Sequence, residues 1–74
     1  MRNSEWPREY LETKEVFIKN NTVYVRSSRG ATTGLACDAS IIDARWVNDA
    51  VVVYYKNGCK VRYFGPYGSQ RESI

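Results

Sequence analysis

Apolar and polar residues alternate along most of the chain with the period of two that a half-buried strand requires. Val16-Phe17-Ile18 opens the pattern. Thr22 to Arg26 repeats it, with Val23 and Val25 on one side and Tyr24 and Arg26 on the other. Between them Asn20-Asn21 predicts a tight turn, because Asn tolerates positive φ. Ala50 to Lys56 is the most β-prone run. Asn57-Gly58 follows it and predicts a type I′ hairpin turn, with positive φ at both residues. Lys60 to Phe64 is then the return strand.

Ser40 to Val47 fits two patterns. As a helix, Asp38 caps it and Ile42 stacks on Trp46. As a strand, Ile42, Ala44 and Trp46 point one way while Asp43 and Arg45 point the other. The β-branched pair Ile41-Ile42 and the turn residues Asn48-Asp49 favour the strand. Residues 40–64 then form a three-stranded meander.

The ends carry weaker patterns. Residues 1–15 read as a short helix, with an extended arm as the rival. Ser4 is the expected cap, and Pro7 is tolerable only in the first turn. Glu5, Glu9 and Glu12 share one face of that helix, and Trp6 meets Tyr10 four residues on. Ser27 to Gly34 is a loop by composition. Gly65-Pro66-Tyr67-Gly68 ends regular structure, leaving 65–74 as a loop and frayed tail. The fold expected is mainly β, with residues 1–74 as one small domain. It is a small antiparallel sheet or partly open barrel of four to five strands, with a short N-terminal helix and a β body over 16–64.

Alternation sorts the strand residues into two faces. Val16, Ile18, Val23, Val25, Ile42, Ala44, Trp46, Val51, Val53, Tyr55, Val61 and Tyr63 form a coherent core set. The opposite set is Phe17, Tyr24, Arg26, Arg45, Val52, Tyr54, Lys56, Lys60, Arg62 and Phe64. A sheet with one wet face shows plain polar alternation there, and this set is instead aromatic and basic. Something is expected to cover it: the N-terminal helix, another subunit or a ligand. With 74 residues the chain buries only about 60% of its unfolded surface. The strand Ala50 to Tyr55 is apolar on both faces, so homo-oligomerisation is expected.

Charge narrows the picture. Lys plus Arg is 11 and Asp plus Glu is 8, a net charge of +3. Residues 1–19 and 65–74 are each neutral, so the whole excess falls in 20–64, which contains no Glu. The chain has no His, which removes His bases, His ligands and His-based triads. Asp38, Asp43 and Asp49 show no motif spacing, and Asp38 beside Cys37 disfavours a thiolate. No enzyme activity, metal or cofactor is expected. Cys37 and Cys59 allow one bridge at most, and a reducing compartment leaves both as thiols. The N-terminus lacks a signal-peptide apolar region, and no run approaches the roughly 18 apolar residues of a membrane span. A cytoplasmic protein without membrane contact is expected, and the sequon Asn20-Asn21-Thr22 then has no use.

Aromatic side chains interleaved with Lys and Arg suit single-stranded RNA or DNA: bases stack on rings and cations neutralise phosphates. Tyr24, Tyr54 and Phe64 are the candidate platforms. Arg26, Arg45, Lys56, Lys60 and Arg62 are the candidate phosphate contacts. Arg29 and Gly30 sit in a loop whose N–H groups suit a phosphate, although no Gly-Lys-Ser/Thr follows as in a nucleotide-binding P-loop. The alternative is a homo-oligomeric protein–protein interaction module, an inhibitor or assembly subunit without catalytic activity. Tyr, Trp and Arg are also the usual interface anchors, so the same residues serve either reading.

Overall fold

A computed structural model describes residues 4–66 and 71–74. It is mainly β, as the alternation predicts. One helix, α1 (Arg8–Thr13), precedes β1 (Glu15–Lys19), β2 (Thr22–Arg26) and β3 (Thr32–Cys37). β4 (Ile41–Val47), β5 (Ala50–Tyr55), β6 (Lys60–Tyr63) and β7 (Arg71–Ser73) follow. Among the described residues these are seven strands in two antiparallel sheets, β1-β2-β3 and β4-β5-β6-β7, where four to five strands in one sheet or partly open barrel are expected. No closed barrel forms. Residues 40–47 take the strand alternative, and 40–64 is the expected meander.

Two strands escape the pattern. β3 begins within the run that composition assigns to a loop, Thr32 to Gly34, and continues through Cys37. Its alternation is broken by a bulge, because Gly34 pairs with Tyr24 and Ala36 with Val23, leaving Leu35 as the extra residue. Gly34 further lowers the strand signal, yet the Tyr24 ring lies over it, 3.7 Å from where a Cβ would stand. The actual loop is short and tied down. Ser27 is buried, and its Oγ accepts N–H bonds from Arg29 at 3.2 Å and Ala31 at 3.1 Å. β7 corrects the frayed tail: Arg71 pairs with Tyr63 and Glu72 with Arg62, so long-range pairing orders a stretch with no local signal. The remainder of the predicted terminal loop, 67–70, and the first three residues of the predicted helix or arm lie outside the described residues.

The turns exchange roles. Asn20 and Asn21 both take positive φ, 53° and 60°, and Lys19 pairs with Thr22. That is the two-residue type I′ hairpin. At Asn57-Gly58 only Gly58 is left-handed, with φ 88°. The Gly58 N–H donates to Tyr55 O at 3.0 Å and the Tyr55 N–H to Cys59 O at 3.0 Å, so the loop has three residues. The Asn57 Oδ1 accepts the Cys59 N–H at 3.0 Å, an Asx bond that completes the turn without positive φ at Asn57.

Trp6, Tyr10, Val23, Val25, Ile41, Val51, Val53 and Tyr63 form one buried cluster drawn from both sheets and the N-terminal segment. The predicted core set holds apart from two members: Ile18 is 40% and Ile42 58% exposed. Ile18 faces inward opposite Val23 but sits on an edge strand beside the turn. Ile42 is displaced by a bulge in β4, because Ile41 pairs with Tyr55 but Asp43 with Tyr54. The extra residue reverses the parity, and Ile41 enters the core instead.

The N-terminal segment goes between the sheets rather than over an outer face. The Trp6 ring lies 5.3 Å from Tyr10 and 5.3 Å from Trp46, tilted in both pairs. Its Nε1–H donates to Tyr63 O at 3.0 Å. The Tyr10 hydroxyl shares a 2.8 Å hydrogen bond with Thr33 Oγ1. Ser4 does not cap α1: Pro7 holds the cap position without a side-chain bond, and Ser4 Oγ accepts the Trp6 N–H at 3.3 Å. Lys14, with φ 46°, ends the helix after six residues. Helix and arm are thus both present, with residues 4–7 as the arm.

Candidate binding faces

The expected aromatic and basic set is divided between two outer faces. On the first sheet the type I′ turn sets Phe17 opposite Tyr24. Their rings stack with centroids 5.3 Å apart and 24° between planes. The Arg26 guanidinium lies over Phe17, 4.9 Å from its centroid, and also reaches Glu15 Oε2 at 3.1 Å. Phe17 and Tyr24 are half-buried. With Lys19, Asn20, Arg26 and Thr32 they line an open depression of about 310 Å³. Sequence reasoning placed Phe17 on this face but not among the binding residues, and it passed over Lys19, Asn20 and Thr32. The signal for Phe17 was present: a two-residue turn at Asn20-Asn21 dictates which residue faces Tyr24.

On the second sheet Arg45, Val52, Arg62 and Glu72 form one cross-strand row, with Asp43, Tyr54 and Lys60 in the next. Lys60 Nζ lies 5.8 Å from the Tyr54 centroid. Arg62 covers Phe64 at 5.9 Å, and Phe64 is only 6% exposed. The expected Phe64 platform is therefore corrected to a packing residue, and its carbonyl accepts the Glu5 N–H at 2.6 Å. Val52 is buried beneath the charged row. Lys56 is exposed on the β5–β6 turn.

The charge segregation in the sequence does not survive folding. Arg26 meets Glu15 at 3.1 Å, Arg29 meets Glu9 at 3.8 Å and Arg62 meets Glu72 at 3.3 Å. All three acids come from the two neutral ends of the chain. Arg45 meets Asp43 of its own strand at 2.9 Å. Such exposed pairs contribute only about 0–1 kcal/mol, so each Arg remains exchangeable.

The Arg29 loop does not present the expected amide cradle. The N–H groups of Ser27, Ser28 and Gly30 donate to the carbonyls of Ala31, Glu9 and Ser27. Those of Arg29 and Ala31 donate to Ser27 Oγ. What remains for a ligand is the Arg29 side chain, 87% exposed.

Among the described residues two titratable groups are displaced. Hydrogen bonds from the Ser40 N–H at 2.8 Å and Ser40 Oγ at 2.7 Å hold the Asp38 carboxyl below the usual range. Burial, aided by Tyr63 and Asp38 and opposed by Arg71, pushes the Tyr55 hydroxyl up. Neither belongs to the two outer faces just described. Cys37 and Cys59 are free and exposed. Among the described residues no three His, Cys, Asp or Glu gather as a metal site, and no helix is long and apolar enough to cross a membrane. Compared with known proteins, the chain matches no family model, no curated sequence and no solved structure.

Proposed function

We propose that the chain is a small binding module, not an enzyme, and that it takes single-stranded nucleic acid on the outer face of β1 and β2. The stacked Phe17–Tyr24 pair beside an open depression carries this reading. An unpaired base extends the stack, for about 1–3 kcal/mol. Lys19 and Arg26 stand beside it for the flanking phosphates, and Asn20 and Thr32 offer hydrogen-bonding groups at the rim. Arg29 lies on the loop between β2 and β3. The second sheet's Arg45, Tyr54, Lys56, Lys60 and Arg62 form a separate, secondary contact surface.

Titration of labelled single-stranded RNA and DNA at two salt concentrations tests the reading. Binding should weaken with a log–log slope of about −0.7 per neutralised phosphate. Arg26→Ala and Phe17→Ala should each weaken it. No binding at low salt, or binding indifferent to both substitutions, discards it. The protein-interaction reading then takes over. It is favoured by the acid on every one of the four binding arginines and by exposed Ile42, Val47 and Ile74. Binding to a protein through those apolar residues should respond little to salt.

A further inference from the structure

Among the described residues the two sheets have four edge strands, β1, β3, β4 and β7. Three are protected. β1 lies against β4, and β4 also carries Asp43, Arg45 and a bulge. β7 has only three residues, two of them Arg71 and Glu72. Shortness, charge and cover are the usual means by which an edge avoids pairing with another chain. β3 lacks all three. It runs six residues, Thr32-Thr33-Gly34-Leu35-Ala36-Cys37, without a charge or a proline, and among the described residues it pairs only with β2.

We infer that β3 pairs antiparallel with β3 of a second copy of this chain, joining two three-stranded sheets into one of six strands. This inference is independent of the nucleic-acid reading. The strand is self-complementary about a two-fold axis between Gly34 and Leu35. Thr32 and Cys37 face outward, opposite Arg26 and Thr22, whereas Thr33 and Ala36 face inward, opposite Val25 and Val23. The two-fold sets Thr32 against Cys37 of the second copy and Thr33 against Ala36, so each pair shares a face. The bulge at Leu35 would disrupt any offset pairing, but here both bulges fall at the axis. The flanks are complementary as well. Exposed Arg29 precedes the strand and Asp38 follows it, so an antiparallel pair brings the basic end of each copy to the acidic end of the other. A two-fold perpendicular to the sheet keeps both Phe17–Tyr24 pairs on one side, with their β2 strands about 14 Å apart at ordinary strand spacing.

Sedimentation equilibrium from micromolar to millimolar concentration, in reductant, tests the pairing. Wild type should form a dimer whose population rises with concentration. Cys37→Lys sets a cation beside the basic end of the second copy and should raise the dissociation constant at least about tenfold. Cys37→Ser should leave it unchanged. Thr32→Cys in a Cys59→Ser background tests the register without weakening the strand. On oxidation the introduced thiol should link to Cys37 of the second copy and yield a covalent dimer, whereas Cys59→Ser alone should not. A chain that stays monomeric throughout, a dimer indifferent to Cys37→Lys, or failure of the Thr32→Cys variant to cross-link would overturn the inference.

Discussion

The two sheets use similar residues outside and arrange them in opposite ways. On the first, an aromatic pair faces outward and one Arg lies over it. On the second, the charges are outermost: Arg45 bonds Asp43, Arg62 bonds Glu72, and Val52 and Phe64 are buried. Arg45 and Arg62 flank Val52 in one cross-strand row, and Arg62 also reaches over Phe64, so long Arg side chains cover the apolar residues of that face. Phe17 sits on an edge strand, with Tyr24 beside it and a glycine beyond. Gly34 leaves the Tyr24 ring uncrowded, and the stack stays open. An aromatic residue interleaved with arginines is therefore no guide to a platform until its cross-strand neighbours are known.

The largest effect should come from removing what the two sheets share. Trp6 touches Tyr10 and Trp46 and bonds the end of β6. Trp6→Ala should cost about 3–5 kcal/mol in chemical denaturation, as large core truncations do. Loss of one sheet alone, with the other still cooperative, would show that the sheets fold separately.

The hairpins separate the sheets next. Gly58→Val in the second sheet should cost about 1–3 kcal/mol, because φ 88° strains a β-branched residue although the space around it is open. Asn21→Gly in the first should change stability by only a few tenths of a kcal/mol, since glycine also accepts its φ of 60°. Equal melting shifts would contradict the turn assignments.

Binding sharpens the contrast at a similar scale. Phe17→Ala should weaken single-stranded nucleic acid by about 1–3 kcal/mol, with circular dichroism confirming the fold. Tyr54→Ala should do much less, because Lys60 and the charged rows surround that ring. The reverse order would move the site to the second sheet. Smaller still, Glu72→Gln should change stability by no more than about 1 kcal/mol while freeing Arg62. If the second face also contacts phosphates, the salt slope should steepen.

The smallest effect concerns pH. Asp38 has a lower value folded than unfolded, so its contribution is full above the ordinary carboxylate range. It is lost as pH falls through the depressed folded value. Asp38→Asn should flatten the acid limb of a stability–pH curve slightly and leave the neutral region alone. No change in the acid limb would mean that the Ser40 bonds do not persist in solution.

Local rules reached the strands with clean alternation, the strand character of 40–47 and the turn at Asn20-Asn21. They also carried the information that Phe17 faces Tyr24, because a two-residue turn dictates register over the few residues on either side. They missed β3 and β7, whose pairing partners rather than their composition make them strands. They placed Ile42 inside, because a bulge that reverses parity is defined only against the opposing strand. The basic excess of 20–64 was a correct count, but charge acts through space. Glu9 and Glu72 reach Arg29 and Arg62 only when the chain ends fold back on the sheets, whereas Glu15 meets Arg26 through the same hairpin register that sets Phe17 against Tyr24. Periodicity and turn chemistry are short-range and written in order along the chain. Which residues share a face, and which charges neutralise one another, depend on distances that only the packed sheets establish.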